Sequence, residues 1–247
     1  MNKILLALAS TLAFTALPQA TFAQEASPLS FNVAVTSDYR YRGISQSRLK
    51  PALSAGVDYA LPAGFYVGAW ASSIKWIKDF GGDGNVELDL YGGFKGEIMP
   101  GLAFDVGALR YQYPRNRLAP SANTTELYGA LTYGPATLKY SHAVTDTFGN
   151  LDSKNSYYVE VAAGFDVGYG LTLTPHAGYQ KIKGPLSGPA SYTDYSLALS
   201  KDFSGFLVTL AVVGTDADKN FYVPGPFGNS TKFLGKTAGV LSVKYTF

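Results

Sequence analysis

Apolar and polar residues alternate with a period of two along most of the chain beyond residue 30, in about twelve segments of roughly ten residues, the length a tilted strand needs to cross a bilayer. Phe31, Val33 and Val35 alternate with Asn32, Ala34 and Thr36. Leu53, Ala55, Val57 and Tyr59 alternate with Ser54, Gly56 and Asp58, and Val86, Leu88 and Leu90 with Glu87, Asp89 and Tyr91. The same dyad runs through Thr125, Leu127 and Leu131, through Val159, Val161 and Phe165, and through Phe206, Val208, Leu210 and Val212. Helical spacing fits none of these segments. Only the third segment slips, with Phe65, Val67 and Ala69 on one parity and Trp70, Ile74 and Trp76 on the other, which predicts a β-bulge near residues 71–73.

The connections alternate in length. Tight Pro/Gly turns at 61–64, 99–101, 134–135, 168–170 and 203–205 interleave with longer polar stretches at 43–50, 77–84, 114–123, 146–155, 183–190 and 216–235. Five short turns and six long loops make twelve strands with both ends of the barrel sequence on the short-turn side. The expected fold is all-β, a transmembrane antiparallel β-barrel of about twelve strands occupying residues 24–247. A soluble sandwich would carry far more Lys and Glu on its outer faces.

Composition sharpens this picture. Of 247 residues, 20 are basic and 18 acidic, a charged fraction of 15% against about 25% in an average soluble domain. There is no Cys, and the net charge is only +2, which excludes a disulfide framework, a thiolate metal centre and an electrostatic nucleic-acid binder. Lys3, the apolar stretch 4–17, Pro18 and the small residues Thr21 and Ala23 read as a signal peptide over residues 1–23, cleaved between Ala23 and Gln24. Export to the outer membrane of a Gram-negative bacterium is the expected destination. At the other end Leu241, Val243, Tyr245 and Phe247 share one strand face. A terminal Phe preceded by alternating Tyr and Val resembles the signal that outer-membrane proteins present to the barrel-assembly machinery, with Tyr245 and Phe247 its key residues.

The run SDYRYRGISQS at 37–47, followed by PALSAGVDYALPAGFYVGAWASSI and NVELDLYGGF, resembles the TorF family of porin-like outer-membrane proteins. The resemblance implies an outer-membrane barrel with a pore. It implies no particular solute and no catalytic residues.

The ionisable residues must then carry the mechanism. Polar parity assigns Asp38, Arg40 and Arg42 to the inner face of the first strand, with Asp58, Glu87, Asp89, Lys95, Asp105, Glu126, Lys139, Glu160, Asp166 and Asp194 on later strands and Lys244 on the last. An Arg or Lys facing lipid at mid-bilayer costs about 2–4 kcal/mol, so the lumen is the cheaper place for them. The expected pore-lining set is Asp38, Arg40, Arg42, Asp58, Glu87, Asp89, Asp105, Glu126, Glu160 and Lys244, with Arg40, Arg42 and Lys244 on one wall opposite the acids. Twelve tilted strands close at a diameter of roughly 24 Å, leaving about 10 Å of bore if no loop folds inward. The 216–235 loop is long enough to narrow it.

The function expected from these features is a porin-like channel for passive diffusion of small hydrophilic solutes or ions, with outer-membrane lipids as surroundings. Its rivals are a non-conducting structural or surface-contact barrel and, more remotely, a lipid-modifying enzyme. Against the enzyme, the sequence has only two His, His142 expected to face lipid and His176 the lumen, and neither a GxSxG elbow nor an HExxH helix. No cofactor, metal or nucleic acid is expected. Tyr39, Tyr41, Tyr59, Phe65, Tyr133, Tyr140, Phe165, Tyr245 and Phe247 are expected in the aromatic belts at the two headgroup boundaries, and Trp70 and Trp76 stay ambiguous between belt and sugar-stacking platform.

Overall fold

The computed structural model describes residues 27–228 and 230–247; the expected cleavage point between Ala23 and Gln24 lies outside them. Twelve antiparallel strands run as an up-and-down meander: β1 Leu29–Thr36, β2 Ala52–Ala60, β3 Phe65–Ser73, β4 Val86–Met99, β5 Leu102–Gln112 and β6 Thr124–Tyr133, then β7 Ala136–Ala143, β8 Tyr157–Ala163, β9 Leu171–Lys181, β10 Tyr192–Phe203, β11 Phe206–Thr215 and β12 Ala238–Thr246. After Gly164, β8 resumes for two residues at Phe165–Asp166. β1 pairs with β12, from Asn32 opposite Thr246 to Thr36 opposite Ser242, and the sheet closes on itself. The five short turns fall where Pro and Gly predict them. The six loops L1 to L6, at 37–51, 74–85, 113–123, 144–156, 182–191 and 216–237, gather at the other end.

Alternation decides what each face meets. Val33, Val35, Leu53, Val67, Leu90, Leu127, Leu138, Val161, Leu197, Leu210 and Leu241 stand exposed on the outside, although they are among the most hydrophobic side chains of the chain. A closed barrel wearing such a band satisfies its backbone internally and offers hydrocarbon to hydrocarbon. No helix among the described residues is long and apolar enough to cross a membrane; the strands do that.

Aromatic rings border the band on both sides. At the short-turn end the rings of Phe65, Phe94 and Phe104 pack in a tilted row, and Phe31, Phe247, Tyr245 and Phe206 form a second run across the closure seam. At the loop end Tyr140, Tyr157 and Tyr179 form the matching run, joined by His142.

Three expectations fail. The 71–73 bulge is absent: β3 pairs in unbroken register with both neighbours, and the one register shift in this sheet region lies between Glu97 and Met99. The apparent slip arises because Trp70 belongs inside, where its ring meets Tyr39 edge-on, while Ile74 and Trp76 already belong to L2. Second, Tyr39 and Tyr41 are not belt residues but are packed inside the barrel. Third, β1 stops at Thr36, so Asp38, Arg40 and Arg42 sit in L1 and not on a barrel strand.

Leu90 lies on the outer face between the Phe94 belt and the loop end of β4. Leu90→Arg is expected to lower unfolding free energy in lipid vesicles by about 2–4 kcal/mol, measured by urea titration; an inward Ser200→Arg change should cost less.

Candidate functional site

The site is the interior of the barrel and the loops over it. L1 turns inward and builds a hairpin, Arg40–Tyr41 paired with Ile44–Ser45. Its two-residue turn is Arg42 and Gly43, with φ of 45° and 80°, the positive values that two-residue primed hairpin turns require. Glycine adopts such values freely. Arginine does not, and strain of order 1–3 kcal/mol persists at such a position only where surrounding contacts hold it.

Those contacts lie across the bore. Arg42 Nη1 and Nη2 donate to Glu126 Oε1 and Oε2 on β6 at 3.0 and 2.7 Å, and Nη1 also reaches Gln180 Oε1 on β9 at 2.5 Å. Its guanidinium stacks 4.7 Å from the Tyr41 ring and 4.2 Å from Tyr158 of β8. Starting beside β1 and ending on β6, β8 and β9, the hairpin spans the interior from one wall to the other. A Cβ added at Gly43 would sit 2.7 Å from Asp194 Cβ, so the tip passes hard against β10.

The flanks of L1 are tied as firmly. Arg40 Nε donates to Asp38 Oδ2 at 2.7 Å, and its Nη1 donates to the carbonyls of Gly43 and Lys236. Ser45 donates to Asp38 Oδ1 at 2.5 Å and Tyr39 to Glu87 Oε1 at 2.5 Å. Tyr41 donates to the Tyr111 hydroxyl at 3.0 Å. Arg48 pairs with Asp79 of L2. L6 lies over the hairpin: Ser45 N–H donates to Leu234 O, Leu234 N–H to Tyr222 O, and Ile44 packs with Leu234 and Tyr222. Burial pushes the Tyr222 phenol well above its ordinary pKa, and the neutral hydroxyl donates to Ala190 O at 2.7 Å.

Towards the short-turn end the interior walls carry a second layer. Tyr66 donates to Asp105 Oδ1 at 2.6 Å and its hydroxyl also meets that of Tyr128; Tyr91 donates to Asp58 Oδ1 at 2.5 Å. Lys139 Nζ lies 4.4 Å from the Tyr128 ring centre and Lys95 Nζ 5.3 Å from that of Tyr66. On the wall formed by β8 to β10, His176 Nε2 is 3.1 Å from Glu160 Oε2 and its Nδ1 3.7 Å from Asp194 Oδ1, while Tyr158 donates to Asp194. These tyrosines lie flat because the strand beside each offers glycine: Tyr91 is paired with Gly68, Tyr66 with Gly93 and Tyr128 with Gly107.

Of the sequence-derived lumen set, Asp58, Glu87, Asp89, Asp105, Glu126 and Glu160 are on strands with inward parity, as is Lys244, which lies within electrostatic reach of Asp58. Asp38, Arg40 and Arg42 reach the interior through L1 instead. Arg42 is therefore on the wall opposite the closure seam, and the expected basic wall of Arg40, Arg42 and Lys244 does not exist. Asp166 sits exposed at the rim, accepting from Gly168 N–H at 2.8 Å. L1 crosses the bore, and the 216–235 loop packs down on it through Ala217, Tyr222 and Leu234. The pairing of inward tyrosines with glycines on the neighbouring strand was missed; the signal in the sequence was the coexistence of many Gly and many Tyr.

At the level of L1 the packing is tight. Arg40 is 2%, Glu87 1%, Asp89 0% and Glu126 2% exposed. Asp89 keeps both carboxylate oxygens without a hydrogen-bond partner among the described residues, beside Glu87 and Glu126. No three or more His, Asp or Glu among the described residues are placed to hold a metal ion.

A family model described as "Bacterial protein of unknown function (Gcw_chp)" matches residues 21–247. The chain belongs to that family. No curated protein matches. Among solved structures the Gcw_chp chain is similar to the KdgM porin, with TM-score 0.56 and 9% identity over 88% of this chain and 99% of the porin. It is similar to the NanC porin, with TM-score 0.55 and 8% identity over 89% and 98% of the two chains. A third similarity is to the COG4313 outer membrane channel from Pseudomonas putida F1, with TM-score 0.52 and 12% identity over 93% and 98%. At these identities the likeness establishes the fold, a closed twelve-stranded barrel of the kind porins use.

A Cβ at Gly68 would lie 2.4 Å from the Tyr91 ring. Gly68→Val is expected to cost about 1–3 kcal/mol in the same urea titration, and Tyr91→Ala in the same chain should recover part of it, a non-additivity that contact between the two sites requires.

Proposed function

We propose that this Gcw_chp barrel is an outer-membrane channel for passive diffusion of small hydrophilic solutes or ions, throttled by the L1 hairpin. The observation that carries the reading is the Arg42 hairpin itself. A barrel needing only to be solid could fill its interior with strand side chains, whereas here a loop is threaded across the bore and fastened at its tip by one charge pair. The walls it crosses carry Asp58, Asp105, Glu160, Lys95, Lys139 and Lys244 on inward parity, a polar path on which ions and hydrated solutes keep their partners. The TorF-like run at 37–47 coincides with this hairpin and points the same way. The KdgM porin has been solved in complex with oligogalacturonate, in keeping with small-solute passage through this fold.

A non-conducting barrel is favoured by one observation, the near-total burial of Arg40, Glu87, Asp89 and Glu126 at the L1 level. In a channel of this design that level is a constriction, which opens when the tip lets go. The two histidines are committed elsewhere: His142 bonds Tyr140 and Asn155 on the outer side, and His176, although paired across strands with Ser196, is held by Glu160 and Asp194.

Planar-bilayer recording separates the two. The wild type is expected to show small conductance steps. Arg42→Ala should raise the step size severalfold and move the reversal potential in a KCl gradient towards cation selectivity, because Glu126 loses its counter-charge. Discrete steps absent from wild type, Arg42→Ala and Glu126→Ala alike, with all three folded, would leave the non-conducting barrel as the reading.

A further inference from the structure

Above L1, the loops enclose a chamber of about 470 Å³, within the range of pockets that hold small organic molecules. Tyr41 and Gln46 of L1 contribute to its lining. Trp76, Tyr113, Phe148, Tyr192 and Tyr222 set aromatic rings in the wall of this half-open chamber.

The chamber differs from the barrel below in its charge. No Asp, Glu, Lys or His lines it, and its single ionised residue, Arg117, is a mostly exposed side chain whose Nη1 lies 3.9 Å from Asp83 Oδ2. A hydrated ion would surrender water here without gaining a counter-charge. An uncharged ring, by contrast, would bury apolar faces against aromatic ones.

The polar groups specify more. Gln46 Nε2 donates to Ile44 O at 3.0 Å, and Asn150 Nδ2 donates to Thr147 O at 2.9 Å. Each amide thus spends one of its two N–H groups internally and keeps its oxygen as an acceptor. Gln180, the remaining amide of the lining, is occupied by Arg42 and by Tyr157 O. The chamber offers these two amide oxygens beside the second N–H of each amide, partners for a ligand group such as a hydroxyl that both donates and accepts.

From this we infer that the chamber binds a small uncharged aromatic compound carrying a hydroxyl or N–H donor. Taken as a solute class for the channel, the inference rests on the channel reading; taken as a binding site it does not, and its test reads binding without flux.

Trp76 and Trp70 are the only two tryptophans, so Trp70→Phe leaves Trp76 as the sole reporter in the chamber wall. In lipid nanodiscs, 4-nitrobenzyl alcohol should quench Trp76 fluorescence saturably. Two analogues, 4-nitrotoluene without the donor and 4-nitrobenzoate with a charge, should each bind about tenfold more weakly. Phe148→Ala removes a wall ring, and Leu186→Glu puts a charge at an exposed position of the lining; either should weaken the alcohol about tenfold while the protein keeps its folded-barrel gel mobility. If Trp70→Phe does not fold, wild type read against Trp76→Phe yields the same curve. Quenching linear in concentration, tighter binding of the benzoate, or displacement of the alcohol by glucose overturns the proposal.

Discussion

A backbone in hydrocarbon finds no water for its N–H and C=O groups, and the pairing of β1 with β12 is what lets this chain meet that condition. From Asn32–Thr246 to Thr36–Ser242 the first and last strands complete each other, and the Phe31 and Phe247 main chains extend the ladder to the rim. Closure leaves no edge. It also divides every strand into two chemistries, because side chains one residue apart point to lipid and to lumen. The outer band of Leu, Val and Phe and the inner set of Asp, Glu, Lys and Tyr are two consequences of that single geometric fact.

Closure creates an interior that has to be dealt with. Along β3 to β6 it is partly filled by tyrosines laid flat over glycines, a device that keeps large rings against the wall and out of the centre while giving their hydroxyls carboxylates to bond. On the opposite wall Ala198, Ala211 and Val240 face inward, and the buried ring of Tyr192 stands at its loop end. The lumen at strand level is therefore asymmetric, bulky on one side and smooth on the other. L1 crosses over this floor near the loop end, and L6 holds it down.

The strand count, the turn positions, the lipid face and the inward parity of most carboxylates were legible because each follows from local alternation and from where Pro and Gly stand. What escaped was the fate of residues 37–47. Asp38, Arg40 and Arg42 alternate with Tyr39 and Tyr41 as a barrel strand would, since a small hairpin has the same period of two as a long one. Periodicity reports extended backbone; it does not say which sheet the strand joins. Two cues in the run distinguish the cases in hindsight. Gly43 sits where a two-residue turn needs positive φ, and a strand continuing the register of Thr36 opposite Ala52 would set Arg40 directly against Arg48, like charge against like.

The bidentate Arg42–Glu126 pair is better understood as a latch than as glue. A buried ion pair gains little net stability over apolar groups of the same shape, because desolvating both charges cancels most of their attraction. Losing one partner, however, strands the other, so the pair strongly disfavours any half-released state. Of the hairpin's other ties, Arg40 to Asp38 and Ser45 to Asp38 run within L1 itself, while Arg40 to Lys236 O, Ser45 N–H to Leu234 O and Arg48 to Asp79 join it to L6 and L2. Contacts to the walls are few and concentrated: Arg42 to Glu126 and Gln180, Tyr41 to Tyr111, and Tyr39 to Glu87. A loop braced internally and by L2 and L6, and fastened to the barrel wall at few points, moves together with those loops or not at all. That arrangement suits a constriction with two states far better than a core, whose contacts would be spread over every strand.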